Sequence, residues 1–311
     1  MVNKKSKIFI AGHNGMVGSA VLRKLKNKGF SKIILSEKKN LDLLNQNKVF
    51  KFLKKKKPDL VIIAAARVGG ILANATLKHK FIYENLQIQN NLIHGSYLAK
   101  IKNLIFLGSS CIYPKFCKQP MKESYLLSGK LEETNDAYGI AKIAGIMMCH
   151  NYSKNYKLNY QSLMPPNLYG PGDNFHPENG HVIPALMHKF NNSTDKTVTC
   201  WGDGTPMREF TYVDDLADAC LFAMDHYENA ELINVGSGQD ISIFHLAHKI
   251  AKLTGYTGNI EWDTNRPNGT PKRPLDYSKI SSLGWKPKYT LTEGLQKTYE
   301  WFCEHTYLQT K

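Results

Sequence analysis

Residues 7–18 read Lys7-Ile8-Phe9-Ile10-Ala11-Gly12-His13-Asn14-Gly15-Met16-Val17-Gly18, and this stretch decides the architecture. A short apolar run of β character empties into three glycines spaced three apart, and a helical stretch, Ser19 to Asn27, follows and is closed by Gly29. Glycine allows a tight turn and lets backbone N–H groups approach a pyrophosphate at a helix N-terminus, where the dipole favours negative charge. With a strand before it and a helix after it, the turn reads as a dinucleotide cradle.

Working outward, further β-type runs at Lys32–Leu35, Leu60–Ala66 and Asn103–Leu107 alternate with helical stretches near Asn45–Lys57 and Tyr83–Ala99. Strands that are apolar throughout and alternate with helices imply a parallel sheet covered on both faces, an α/β doubly wound (Rossmann-type) fold. The run Lys54-Lys55-Lys56-Lys57 stands just before Pro58, where cations suit the C-terminal end of a helix dipole. After Ser162 the texture changes: prolines and glycines crowd residues 165–184, and a second region of loops and short elements begins. The chain is expected to return to the sheet at Phe210–Met224, where Asp214-Asp215 can start a helix, and at Leu232–Val235, then to leave again toward Thr254–Pro274. The expected division is 1–164 plus about 210–238 for the dinucleotide domain, and 165–209 with 239–311 for a smaller, discontinuous C-terminal substrate domain.

With 311 residues, 42% of them hydrophobic, and a mean hydropathy of −0.37, the chain has ample material for a core, which excludes global disorder. A net charge of +15 suggests nucleic acid. Yet residues 1–130 carry 25 Lys+Arg against 5 Asp+Glu, residues 131–311 carry 16 against 21, and only five cations are Arg. Forked recognition of phosphates and base edges favours Arg, so the Lys excess reads as a solvated face and no nucleic-acid partner is expected. The six cysteines lack the spacing of a zinc site and no metal is expected. No stretch resembles a signal peptide or a membrane span, so a cytoplasmic location with free thiols is expected.

Tyr138-Gly139-Ile140-Ala141-Lys142 places a phenol and an ammonium four residues apart, on one face of a helix. A nearby ammonium favours the phenolate, so Lys142 is expected to lower the Tyr138 pKa and make it a proton donor or acceptor. Ser109 falls at the C-terminal end of the 103–107 strand, where open α/β sheets bind ligands. After the second strand, Leu35-Ser36-Glu37-Lys38-Lys39 offers an acid for ribose hydroxyls and a cation for a 2′-phosphate. Lys38 points to NADP, with NAD as the alternative.

A strand-end Ser, a Tyr-x-x-x-Lys and a glycine turn together resemble the extended short-chain dehydrogenase/reductase family. Longer strings narrow the resemblance to its GDP-L-fucose synthase branch: Ala64 to Gly70, Leu107 to Pro114, Tyr138 to Gly145, Asn167 to Pro171, Asp173 to Pro177, His181 to Ala185 and Trp201 to Phe210. The resemblance implies a homodimer that binds NADPH and a GDP-linked 4-keto sugar. By the same resemblance it is expected to epimerise C3 and C5 of GDP-4-keto-6-deoxy-D-mannose and to reduce C4, giving GDP-L-fucose. Ser109, Tyr138 and Lys142 inherit the reductive roles, and Cys111 and His181 the proton transfers at C3 and C5. The implied cofactor contacts are Gly12, His13, Asn14, Gly15, Met16, Val17, Gly18, Lys38, Asp42, Ala65, Ala66, Leu107, Gly108, Pro165, Asn167 and Leu168, together with Tyr138, Lys142 and His181. Asn167, Lys189, Trp201, Arg208 and Asn268 are implied for the nucleotide sugar.

The chain departs from that pattern in places. Asn14 stands for an Arg, Ser36-Glu37-Lys38 for an Arg-x-Arg, Pro166 for a Thr and Asn268 for an Asp. The first two leave Lys38 and Lys39 as the cations for a 2′-phosphate. The last alters a substrate loop, so the alternative is a C4-reductase, with or without epimerase activity, of a related GDP-4-keto sugar such as a GDP-4-keto-heptose.

Overall fold

The computed structural model describes residues 2–226, 231–266 and 268–305. Met1, 227–230, Pro267 and 306–311, including the tail of the expected second region, lie outside the described residues.

The first half alternates as its apolar periodicity requires. Strand β1 (Ile8–Ala11) leads to α1 (Met16–Asn27), β2 (Ile33–Ile34), α2 (Gln46–Lys56), β3 (Leu60–Ile63), α3 (Ile71–Thr76), α4 (Lys78–Leu98), β4 (Asn103–Leu107), α5 (Asp136–Tyr156) and β5 (Asn159–Met164). These strands and β9 (Leu232–Asn234) form a six-stranded parallel sheet in the order β2-β1-β3-β4-β5-β9. The direction of winding reverses between β1 and β3, and a crevice opens there at the carboxyl ends of the strands. One face is packed by α1 and by α7 (Val213–His226), the other by α2, α4 and α5.

The rest forms a smaller body. Strands β6 (Asn167–Tyr169), β8 (Met207–Tyr212) and β10 (Asp240–Ser242) make one small sheet, and β7 (Thr197–Trp201) pairs with β11 (Asn259–Asp263) in another. Helices α6 (Val182–Asn192), α8 (Ile243–Thr254) and α10 (Leu291–Glu304) pack on them around Phe175, Phe190, Tyr212 and Phe302, while α9 (Ser278–Ser282) lies under β9. No helix among the described residues is long and apolar enough to cross a membrane.

Three expectations are corrected. Phe210–Tyr212 does not rejoin the main sheet: it pairs with β6 in parallel and its strand pairs antiparallel with β10, and only α7 and β9 return. Helix α1 starts at Met16 rather than Ser19, because Gly15 in an extended conformation serves as its N-cap. Helix α4 starts at Lys78 rather than Tyr83: a cation opposes the dipole at that end, but Lys78 is paired with Asp136 at 2.9 Å.

Candidate active site

The glycine turn is shaped by close approach. Gly12 has φ +89°, and a Cβ there would lie 2.6 Å from the Ala65 backbone nitrogen. At Gly18 a Cβ would lie 2.1 Å from the Gly12 carbonyl oxygen, so helix α1 can seat against the turn only without a side chain. Gly15 differs: its nearest neighbour would be an ordinary 3.5 Å away. The protein leaves the surface beside Gly15 bare, which suits a ligand that the backbone must touch. His13, Met16 and Val17 are half-buried and Asn14 exposed along this turn.

The far side of the crevice is built from the loops after β3 and β4. Ala65 and Ala66 follow β3, and the next residue, Arg67, is clamped by both Glu84 carboxylate oxygens at 3.0 Å while Asn85 accepts its backbone N–H at 2.8 Å. After β2, Lys38 is exposed, whereas Lys39 pairs with Glu37 at 2.8 Å. Asp42 accepts from the Leu44 N–H at 3.1 Å, which bends the loop.

Beyond Leu107 and Gly108, Ser109 caps a short helical turn over Ser110–Ile112 and its Oγ accepts the Cys111 N–H at 3.3 Å. Gly139 lets α5 press on that turn, since a Cβ there would lie 2.9 Å from the Cys111 carbonyl oxygen. Ser109, Cys111, Tyr138 and Lys142 are thereby gathered at the end of β4. Lys142, only 4% exposed, donates to the Leu107 carbonyl at 2.7 Å, and its Nζ stands 5.6 Å from the Tyr138 ring centre.

Burial pulls the Lys142 ammonium down to about 8, with the Cys111 thiol opposing that fall. Although the Tyr138 ring keeps some accessible surface, the dense protein around its phenol raises the pKa, and Cys111 adds to the rise. This corrects the expectation that Lys142 lowers Tyr138. The Lys142 proton is committed to a backbone carbonyl, and desolvation opposes both charges.

His181 is the N-cap residue of α6. Its side chain is 43% exposed, but Nδ1 is buried and lies 3.6 Å from Asp173 Oδ1, an ion-pair separation too long for a hydrogen bond. Burial alone would depress the imidazole, and the Asp173 carboxylate more than offsets it, so the pKa is raised. The His181 segment touches the cofactor side: the Gly70 N–H donates to the Asn179 carbonyl at 3.3 Å, and a Cβ at Gly172 would lie 3.7 Å from Met16 Cα.

The second body supplies the remaining residues. Pro165 accepts the Ser110 N–H at 3.0 Å, Asn167 is exposed on β6 and donates to the Glu209 carbonyl at 3.0 Å, and Leu168 is half-buried. Lys189 Nζ donates to the Thr199 carbonyl at 3.2 Å and stands 5.7 Å from the Trp201 ring centre, and Arg266 stands 4.9 Å from the same centre. Trp201 is thus flanked by two cations. Arg208 Nη2 donates to the Asn268 carbonyl at 3.3 Å, while Asn268 Oδ1 accepts the Asp203 N–H at 2.9 Å. Burial, with repulsion from Arg273, lowers the Arg208 pKa to about 10, still cationic at neutral pH.

Four residues escaped the sequence reading. Arg273, 8% exposed, donates to the Ser110 carbonyl at 2.7 Å and so ties the second body to the Cys111 turn. Glu209, fully buried, accepts from the Leu275 and Gly238 N–H groups at 2.8 Å and pins that segment. Asp173 faces His181, and Asn135 donates to Cys111 Sγ at 3.3 Å. Scarcity was the available signal for Arg273, one of only five arginines. Asp173 and Glu209 lie inside recognisable strings, and Asn135 looks like an ordinary helix cap.

The sequence matches the NAD dependent epimerase/dehydratase family over residues 8–236. It is 53% identical over 309 residues to the putative GDP-L-fucose synthase 2 of Arabidopsis thaliana, covering 98% of this chain and 94% of that protein. The chain belongs to this family, in its GDP-L-fucose synthase branch. Within the family, the fold is close to an NADP-bound GDP-L-fucose synthetase from Naegleria fowleri, with a TM-score of 0.91 at 28% identity, covering 100% of this chain and 98% of that one. A GDP-6-OMe-4-keto-L-xylo-heptose reductase from C. jejuni is similar too: TM-score 0.92 at 38% identity, covering 98% of this chain and 99% of that one.

Proposed function

We propose that the chain is an NADPH-dependent 3,5-epimerase/4-reductase that converts GDP-4-keto-6-deoxy-D-mannose to GDP-L-fucose. One observation carries the reading: at Gly139 a Cβ would lie 2.9 Å from the Cys111 carbonyl oxygen, so α5 presses on the Cys111 turn and brings Tyr138 and Lys142 to the strand end that carries Ser109 and Cys111. A group able to move a proton at carbon therefore stands beside a phenol–ammonium pair, and Arg208 on the second body is suited to a diphosphate. The bare surface at Gly15, the αL turn at Gly12 and exposed Lys38 fit a dinucleotide with a 2′-phosphate. NADPH, when bound, supplies the hydride.

The residues of the chain divide the remaining work. A 4-ketone acidifies C3 and C5, and inversion needs one group to take a proton and another to return it on the opposite face. Cys111, at the end of β4, and His181, on the loop before α6, come from the two bodies and serve the two faces. Tyr138 then gives its proton to the C4 oxygen while Ser109 Oγ hydrogen-bonds that oxygen and Lys142 holds the nicotinamide ribose. Arg208 and Lys189 take the diphosphate, with Trp201, Asn167 and Asn268 around the nucleotide sugar. The proposal includes the two-domain division and the cytoplasmic location expected from the sequence, and a homodimer, which rests on the family resemblance.

The likeness to the heptose reductase and the Asn268 departure favour a second substrate class, a GDP-4-keto-heptose. The 53% identity to a putative fucose synthase, against 38% to that reductase, weighs toward the 6-deoxyhexose. Incubation with GDP-4-keto-6-deoxy-D-mannose and NADPH in D₂O tests the reading. NADPH consumption with deuterium at C3 and C5 is expected, and reduction without label would remove Cys111 and His181 from catalysis.

A further inference from the structure

Helix α5 begins with a residue that declines its usual local role. Asn at an N-cap normally turns its side-chain oxygen back to accept an N–H of the first turn, which would otherwise lack a partner. Asn135 occupies the N-cap of α5 with φ −137° and ψ 19°, and its side chain makes no capping bond. Instead Nδ2 donates to Cys111 Sγ at 3.3 Å, and Oδ1 is buried without a hydrogen-bond partner among the described residues. Both halves of the amide are thus costly for stability, one by a forgone cap and one by an unsatisfied buried oxygen.

A donor spent on sulfur stabilises negative charge that develops there as a proton moves, because an N–H bond to an ionised acceptor is stronger than one to a neutral acceptor. The same contact limits rotation of the Cys111 side chain. The helix adds to the effect: the thiol lies beside the N-terminus of a 21-residue helix, where negative charge is stabilised. Gly139 is what allows that approach.

We infer that Asn135 is a positioning residue for proton transfer at carbon, holding Cys111 Sγ in place by a hydrogen bond that its own helix forgoes. The inference deepens the proposed epimerase role of Cys111 and rests on it for its catalytic meaning. The hydrogen bond, the absent cap and the orphaned oxygen are independent of that role. The ionisable groups around Cys111 are Tyr138 and Lys142 on α5 and Arg208 on β8, with Arg273 and Glu132 near Arg208. Asn135 is uncharged, so its removal perturbs the thiol without adding or deleting a charge, whereas Asp in its place adds one.

The test uses Asn135→Ser and Asn135→Asp, both good N-caps and neither able to reproduce the amide donor at that reach. Cys111 alkylation by iodoacetamide is followed against pH by peptide mass spectrometry, which separates it from the other five cysteines. Alkylation at neutral pH is expected to slow by about tenfold in Asn135→Ser, as the sulfur loses its amide donor, and by more in Asn135→Asp, which sets a like charge beside it. The melting temperature is expected to hold or rise as the cap is restored. Deuterium entry at C3 and C5 should slow by a similar factor, while reduction of an already epimerised ketone stays within about twofold. An alkylation profile equal to wild type in both folded variants overturns the inference. So does a fall in melting temperature with equal loss in every step, which marks a structural role. Failure of the epimerase reading is distinct: wild-type enzyme would then incorporate no deuterium, whatever the alkylation profiles show.

Discussion

The trio proposed for reduction and the pair proposed for epimerisation are built in opposite ways. Ser109, Tyr138 and Lys142 all belong to the six-stranded body, on a strand end and the helix that covers it, and Lys142 is anchored to the Leu107 carbonyl at 2.7 Å. Cys111 shares that platform, but His181 comes from the loop before α6, on the other body, and its only charged neighbour among the described residues is Asp173 at 3.6 Å. The contrast follows from the chemistry. Reduction delivers to one face of one carbon and gains from rigidity. Inversion needs groups on two faces, so the second must come from across the crevice.

The largest expected effect breaks the reductive side alone. Tyr138→Phe should lower the rate of NADPH oxidation by about 10² to 10⁴, the usual worth of a positioned acid, while NADPH binding, followed by fluorescence titration, is retained. Cys111→Ser should sharpen the division from the other side. We expect deuterium exchange at C3 and C5 to fall by about a hundredfold or more, with reduction of a pre-epimerised ketone kept, and equal loss in both assays would place Cys111 in a structural role. Glu209→Ala attacks the link between the two bodies. It orphans the buried Leu275 N–H and takes the acceptor from the exposed Gly238 N–H, and should cost about 1–3 kcal/mol in urea unfolding, a value near zero meaning that the Leu275 segment is held by other contacts.

Smaller effects separate the pair further. In Asp173→Asn, what holds the His181 pKa up is gone and burial is left to pull it down. The limb of the exchange pH profile governed by His181 should therefore move to lower pH, and the limb governed by the reductive trio should not move. Lys38→Ala should raise KM for NADPH about five- to tenfold, the loss of one exposed charge contact, and leave KM for NADH unchanged. Equal change for both cofactors would assign the 2′-phosphate contact elsewhere.

Where the sequence could be read, the reason was local. Apolar runs, the three-residue glycine spacing and the Tyr138/Lys142 spacing are short-range patterns, and the elements they imply are present as β1, α1, β3, β4 and α5. What escaped was set by distant partners. Lys78 starts a helix because Asp136, on another element, pairs with it. Strand β8, which carries Phe210, lies outside the main sheet because β6 and β10 offer it edges. The Tyr138 pKa runs opposite to the expectation because burial desolvates the phenol and Cys111 adds to the rise, surroundings that residue spacing does not reveal.

By itself, then, the sequence determined the α/β class, the dinucleotide turn and the identity of the residues able to do acid–base chemistry, because side-chain type and short spacing are written in one dimension. The tertiary structure decided which of them meet and in what electrostatic state. It put Asn135 on the Cys111 sulfur rather than on its own helix, Arg273 on the Ser110 carbonyl, and Asp173 beside His181. Those contacts join residues from 8 to 163 positions apart. Their energies depend on burial and separation, which only the folded chain defines.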